Sequence, residues 1–113
     1  MNIEQIQETA TANIQAHLRD LRDTTRKQGR IVAALGVELS KLISTWDASA
    51  RSYDAARAAL EDIVKGIVAK HEDGTPDKDE TRALMGSAAN AVKIAVLLCT
   101  DGSGFVAGYA RKD

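Results

Sequence analysis

Cysteine, proline and aromatic residues are scarce in this chain of 113 residues. The only cysteine, Cys99, has no partner for an internal disulfide, which excludes a disulfide framework and is compatible with a reducing cytoplasm. The only proline, Pro76, leaves the rest of the chain without the residue that most strongly interrupts a helix. One tryptophan, one phenylalanine and two tyrosines provide little aromatic surface for stacking on nucleic-acid bases.

An excess of charge of one sign and a long apolar run are also missing. The formal net charge is −1, so global charge favours neither a nucleic-acid-binding protein nor an acidic tail. The longest nearly apolar segment, residues 88–99, contains Asn90 and Lys93 and is too short to span a bilayer. The first residues lack the basic and apolar regions of a signal peptide. We therefore expect a cytoplasmic protein without a membrane partner.

The sequence is instead rich in helix-forming residues that follow a repeating pattern. Abundant alanine together with leucine, glutamate, lysine and arginine is typical of an all-α protein. Positions separated alternately by four and three residues are mostly apolar, the spacing that keeps one seam of a helix facing a partner. This heptad track consists of Ile14, Leu18, Leu21, Thr25, Gln28, Val32, Leu35, Leu39, Leu42, Trp46, Ser49, Tyr53, Ala56, Leu60, Ile63 and Ile67.

Two places could interrupt the track. Residues 22–30 contain no apolar side chain, and Thr25 with Gln28 matches a capping box, in which each side chain satisfies a free backbone N–H group. Later in the chain, Ser49 or Ser52 could cap a new helix.

Residues 3–71 therefore form either one long helix or an up-and-down bundle that turns near 24–30 and again near residue 48. A loop would normally reset the phase of the track, and here the phase continues through both places. We accordingly favour a long helix from about 30 to 71 with a bend or turn near Gly29.

A clearer break follows residue 71, where Gly74, Thr75 and Pro76 occur in succession. Thr75 is a suitable N-cap and Pro76 suits the first helical position, because its missing N–H group would have no partner there. We predict a C-terminal helix over 76–99 that folds back antiparallel and buries a broad apolar face.

The stretch "VKIAVLLCTDGSGFVAG", residues 92–108, resembles a strand that leads into a phosphate-binding loop. The glycine spacing is wrong for such a loop, and too few residues follow for the crossover helix and second strand that it needs. Gly102 instead fits the position after a helix end. Residues 100–113 then form a tail in which Phe105 and Tyr109 are candidates for docking on the bundle or on a partner.

No residues with recognisable catalytic or metal-binding spacing emerge. His17 and His71 lie far apart without a second ligand at the spacing that metals require. Cys99 lies on an apolar face and fits a buried structural role better than a nucleophile. The aspartates of 73–79 do not match a calcium-binding loop. We expect no enzyme activity, no metal and no cofactor.

A basic stripe is the strongest polar feature. Arg19, Arg22, Arg26 and Arg30 follow helical spacing and Lys27 adds to them, so the stripe could contact phosphates. The alternative is a solvated helix face, since the stripe is short, contains two aspartates and has no aromatic residue.

Three glycines fall inside predicted helices, where glycine costs up to about 1 kcal/mol relative to alanine. Close approach of a neighbouring helix would justify Gly36, Gly66 and Gly86, or else they are merely tolerated.

The predicted architecture is an all-α helical bundle, or a coiled-coil-like assembly of long helices, in a single domain over 1–113. Because the C-terminal helix can cover only part of the seam, the remaining apolar stripe predicts a homo-oligomer, by default a dimer. The predicted oligomer interface consists of Leu35, Leu39, Leu42, Trp46, Tyr53 and Leu60.

We expect a non-enzymatic oligomeric interaction protein, an adaptor or inhibitor of another macromolecule, such as a phage or bacterial accessory or anti-defence protein. The first alternative is a nucleic-acid-binding oligomer that uses the stripe over 19–30. The second alternative is a sponge that holds small ligands between subunits.

Overall fold

The computed structural model describes residues 2–24 and 26–99. Within these ranges the chain forms five α-helices and one 3₁₀ turn, which confirms the predicted all-α class. No helix in the described part has the length and apolar character needed to cross a membrane. The elements are α1 (Ile3–Asp23), α2 (Gln28–Ile43), the 3₁₀ turn (Ala48–Ala50), α3 (Tyr53–Ile67), α4 (Lys78–Ser87) and α5 (Ala89–Leu98).

Helices α1 and α2 pack side by side in opposite directions. The Gln7 side chain donates to Thr45 Oγ1 at 3.0 Å, and the Asn13 side chain donates to Glu38 Oε1 at 3.0 Å. Residue numbers therefore rise along α1 while they fall along α2, as in an antiparallel hairpin.

The predicted bend or turn near Gly29 is a turn that ends just before it, since α1 ends at Asp23 and α2 begins at Gln28. Lys27 is the N-cap of α2. Its backbone is in the left-handed conformation, with φ of 60°, and its side chain makes no capping hydrogen bond. Its carbonyl accepts from the backbone N–H groups of Arg30 and Ile31. Thr25, half of the predicted capping box, lies outside the described residues.

The favoured long helix over 30–71 is wrong, because the chain leaves helical conformation between α2 and α3. Backbone carbonyls just after the end of α2 accept hydrogen bonds from a side chain instead of from a continuing helix. The Arg51 guanidinium donates to the Ser44 carbonyl at 2.8 Å and to the Trp46 carbonyl at 3.1 Å. Ser52 then caps α3 by accepting from Ala55 N at 3.0 Å. The bundle alternative, with Ser52 as the cap, is the one that the structure adopts.

The loop after α3 turns the chain back on itself. Lys70 and Pro76 face each other in an antiparallel bridge, and Asp77 N donates to the Ala69 carbonyl at 2.8 Å. Helix α4 therefore doubles back along α3, in the sense predicted for the C-terminal segment.

The predicted helix over 76–99 differs from the structure at its start and in its middle. Asp77, not Thr75, is the N-cap, and its side chain accepts from Glu80 N at 2.8 Å. Thr75 is held instead by Asp73, whose carboxylate accepts from both the backbone N and the hydroxyl of Thr75. A second break falls at the fully buried Ala88, which separates α4 from α5.

Helix α5 packs mainly on α2, and the two helices come very close at Gly36. A Cβ atom at Gly36 would lie 2.6 Å from Ile94 Cγ2 and 3.2 Å from the Ala91 carbonyl oxygen. One turn further along both helices, Cys99 Sγ donates to the Ser40 carbonyl at 3.3 Å, so α5 runs in the same direction as α2. The predicted close approach is thus confirmed at Gly36.

The heptad track forms one core from several helices rather than one seam along a single helix. Apolar side chains of all five helices meet in this core, and the nine largest of those that are almost completely buried come from α1, α2, α3 and α5. Those nine are Ile14, Leu18, Leu35, Leu39, Ile43, Leu60, Val64, Val92 and Val96.

Candidate functional site

An open groove lies between α3 on one side and α4 with the start of α5 on the other. Its volume is about 1060 Å³. The two walls are joined by the loop in which Lys70 faces Pro76. It is lined by Tyr53, Arg57, Glu61, Lys65, His71, Thr75, Pro76, Asp77, Lys78, Asp79, Thr81, Arg82, Met85, Gly86, Ala89 and Val92.

The α3 wall carries a ladder of side chains spaced four residues apart. Tyr53, Arg57, Glu61 and Lys65 all line the groove. Glu61 accepts from Arg57 at 3.2 Å and from Lys65 at 3.3 Å, so one carboxylate is shared by two cations. Exposed pairs at this spacing contribute only about 0.3–0.5 kcal/mol each, and their main effect is to hold the cations along the wall.

The opposite wall begins at the N-terminus of α4. The Asp77 carboxylate caps the helix through one oxygen, and its other oxygen lies 3.9 Å from His71 Nε2. Lys78 and Arg82 follow one helical turn apart, and neither makes an ion pair or side-chain hydrogen bond with the residues that the structure describes. Their charges are therefore available to an occupant of the groove.

The end of the groove away from the loop is apolar. Met85 and Val92 line it but are almost completely buried, at 6% and 1% exposure, so its accessible apolar surface belongs to half-buried Tyr53 and exposed Ala89. Gly86 is also exposed on the wall, and a Cβ atom there would have no atom within 4 Å.

The predicted oligomer interface falls almost entirely inside the single chain. Leu35, Leu39 and Leu60 are completely buried and Leu42 is 9% exposed, so they have no surface to offer a partner chain. Trp46 and Tyr53 are half-buried against the same core. The reason for the difference is the bundle itself, which folds the track back on itself. Of the six predicted residues, only Tyr53 lines the groove.

The predicted phosphate-contacting residues are gathered at the turn between α1 and α2. Arg19, Arg26, Lys27 and Arg30 are exposed there. Arg22 is partly engaged, because it donates to the Ile67 carbonyl at 2.9 Å and to Asp23 at 3.1 Å.

The acidic segment after α3 reaches the same end of the molecule. Arg22 and Glu80 line one small depression of about 200 Å³. Residues 72–80 carry five acidic side chains and one lysine. This acidic segment therefore offsets the basic stripe.

The remaining chemical candidates have structural partners. Cys99 is buried, and its thiol donates to the backbone as described above. His17 is half-buried on α1 near Glu38. Among the described residues, no group of three or more His, Cys, Asp or Glu side chains could hold a metal ion.

Two carboxyl groups in the described part of the chain have shifted pKa values. Burial alone would raise the pKa of Glu38, but hydrogen bonds from Asn13 and Lys41 and the positive charges of Lys41 and His17 together lower it. Hydrogen bonds from the side chain and backbone of Thr75 lower the pKa of Asp73. Both groups stabilise local structure, and neither lines the groove.

Phe105 and Tyr109, the predicted docking residues of the tail, lie outside the described residues, as does Gly102. Comparison of the chain with protein-family models, curated proteins and solved structures finds no match. The geometry of the groove is therefore the basis for a functional assignment.

Proposed function

We propose that this chain is a non-enzymatic binding protein, an adaptor or inhibitor, that holds a segment of another protein in the groove between α3 and α4. The observation that carries the proposal is the combination of accessible apolar surface at one end with two charged walls. Half-buried Tyr53 and exposed Ala89 would cover the apolar side chains of a partner. The walls would fix its orientation, as polar rims do at protein interfaces.

The groove is large and open to solvent. Its volume of about 1060 Å³ lies at the upper limit of the roughly 300–1,000 Å³ typical of small-molecule clefts. Two antiparallel helices joined by a loop form the kind of channel into which an amphipathic helix can lay its apolar face.

The proposal is tested by filling the groove with a large side chain and measuring whether peptide binding is lost. Peptides from a displayed random library are selected for binding to the full chain. Their affinity is then measured for Ala89→Trp, which places an indole ring in the groove. Ala12→Trp is the matched control, because Ala12 is also an exposed helical alanine but lies on α1, outside the groove. We expect binders that lose affinity only in Ala89→Trp, with both variants retaining the helical circular-dichroism spectrum. Selected binders that tolerate both variants would contradict the proposal.

Nucleic-acid binding is the second candidate, supported by the exposed cluster of Arg19, Arg26, Lys27 and Arg30. The proximity of the acidic segment makes it the weaker one, since like charges on phosphates and carboxylates repel. Fluorescence anisotropy with labelled duplex DNA at low salt tests it. If this candidate is correct, replacement of Arg19, Arg26 and Arg30 by Glu should abolish DNA binding. If the groove is the binding site, the same replacement should leave groove-dependent peptide binding unchanged.

Self-association stays a prediction and now depends on different residues. The exposed large apolar side chains in the described part are Ile3, Val37, Leu97 and Leu98. We propose that the chain forms a homodimer that buries Leu97 and Leu98, which lie together at the end of α5. Native mass spectrometry of the wild type and of Leu97→Ser/Leu98→Ser measures this directly, and a monomeric wild type would contradict it.

A further inference from the structure

The charges of the groove indicate what kind of partner segment it takes. Its walls carry the cationic side chains of Arg57, Lys65, Lys78 and Arg82, against the carboxylates of Glu61, Asp77 and Asp79. The groove is thus more basic than the chain as a whole, whose formal net charge is −1.

Two of the three carboxylates are already engaged. Glu61 is shared between the cations on either side of it. Asp77 caps α4, where the positive end of the helix dipole offsets its charge. Only Asp79 remains without a side-chain partner among the described residues, and it too lies in the first turn of α4.

The two basic side chains of the α4 wall are unpaired and lie one helical turn apart. Lys78 and Arg82 are exposed, lie four residues apart on one helix and have no ion-pair partner in the described part of the chain. Four residues of helix rise about 6 Å, so two carboxylates one turn apart on a neighbouring helix would match this spacing. An arginine in such a position can bind a carboxylate through two parallel hydrogen bonds.

The apolar and charged parts of the groove lie at different places along it. Tyr53, at the start of α3, and Ala89, at the start of α5, lie away from the loop, whereas Lys78 lies at the start of α4, beside the loop. A segment that fits both parts has apolar residues toward one end and acidic residues toward the other.

We infer that the groove binds an acidic amphipathic helix of a partner protein, in which two carboxylates one turn apart bind Lys78 and Arg82 and apolar side chains pack on Tyr53 and Ala89. This inference rests on the proposed function. A basic helix would instead place its charges against these two unpaired cations, with Asp79 as the one unpaired carboxylate of the groove to compensate.

The test begins with peptides from the displayed random library that bind the full chain. Only those whose binding is abolished by Ala89→Trp are kept. We expect these groove-dependent peptides to be enriched in Asp and Glu, with acidic residues spaced three or four apart. Affinity is then measured by fluorescence anisotropy on Lys78→Glu/Arg82→Glu. Replacing two attractions by two repulsions should weaken acidic peptides by about tenfold or more.

The matched control is Arg26→Glu/Lys93→Glu, which changes the net charge equally at exposed positions outside the groove. It should change affinity by less than about twofold at moderate salt, because screened charges outside the contact add little. Raising the salt concentration should weaken the wild type more than the Lys78→Glu/Arg82→Glu variant.

The outcomes separate the two levels of the assignment. Groove-dependent peptides that are not acidic, or that bind the charge-reversed variant as tightly as the wild type, would overturn the inference and leave the proposed function standing. A selection that returns no groove-dependent peptide would overturn both. No groove-dependent peptide would be found, for example, if the chain's own C-terminal segment or a second copy of the chain already filled the groove. A second copy would be identified by a native dimer that Ala89→Trp converts to a monomer.

Discussion

The contact between α2 and α5 predicts that the same substitution has opposite effects at two glycines. Gly36→Ala would place a Cβ atom 2.6 Å from Ile94 Cγ2 and 2.7 Å from Ile94 Cβ. Both distances are about 1 Å shorter than the roughly 3.5–4.0 Å at which carbon atoms make favourable contact. The Ile94 Cβ atom is fixed to the backbone, so a side-chain rotation does not relieve the overlap and α5 has to move away from α2.

The magnitude follows from two opposing terms. Overpacking of a well-filled core costs about 1–3 kcal/mol. Replacing glycine by alanine inside a helix recovers about 1 kcal/mol of conformational free energy. We therefore expect Gly36→Ala to lower the free energy of unfolding by up to about 2 kcal/mol.

Gly66 provides the matched control, because it is helical and exposed and a Cβ atom there would have no atom within 4 Å. Gly66→Ala should therefore raise the free energy of unfolding by about 0.4–1 kcal/mol. Urea denaturation measures both variants, with the fluorescence of Trp46, the only tryptophan, as the signal. The reasoning is refuted if Gly36→Ala stabilises the protein as much as Gly66→Ala does.

Three further results are expected. Ser52→Ala removes the cap of α3 and should cost about 1 kcal/mol, whereas Ser49→Ala, whose hydroxyl makes no hydrogen bond with the described residues, should change stability little in the same denaturation assay. Leu39→Ala should lower the free energy of unfolding by about 2–5 kcal/mol at every protein concentration, because Leu39 is buried within one chain; a loss that grows on dilution would indicate a subunit contact instead. The lowered pKa of folded Glu38 means that its contribution to stability is present above the ordinary value of 4.5 and is lost as the pH falls through the folded value, so the melting temperature of Glu38→Gln should fall less steeply with acid than that of the wild type.

The sequence was sufficient for the fold class, but it assigned Leu35, Leu39 and Leu60 to a contact between subunits rather than to the core of one chain, and it did not give the number of helices. The heptad track kept its phase through 44–52, which suggested one continuous helix. The structure shows that Trp46, inside the connection, also packs on the core, so an unbroken apolar pattern does not require an unbroken helix. The local signal of the break was Ser52, a capping residue that the phase argument outweighed.

The groove was harder to predict from the sequence because its two walls are separate in the chain and are brought together only by the loop between α3 and α4. The run of Arg57, Glu61 and Lys65 is visible in the sequence as alternating charge at helical spacing. Nothing local indicates that Arg82 and Met85 lie opposite this run. That arrangement depends on the reversal at 68–77 and on the second break at Ala88, which carries no proline or capping residue.

The uneven packing of the helices has a consequence for how the molecule opens. Helix α2 shares its most extensive contacts with α1 and α5, whereas α3 and α4 meet the other helices over shorter stretches. Regions with fewer buried contacts open at a lower free energy than the global unfolding transition. Amide hydrogens of α3 and α4 should therefore exchange with solvent sooner than those in the middle of α2. Both walls of the groove belong to this less protected unit, so an occupant that bridges them would slow exchange in α3 and α4 together.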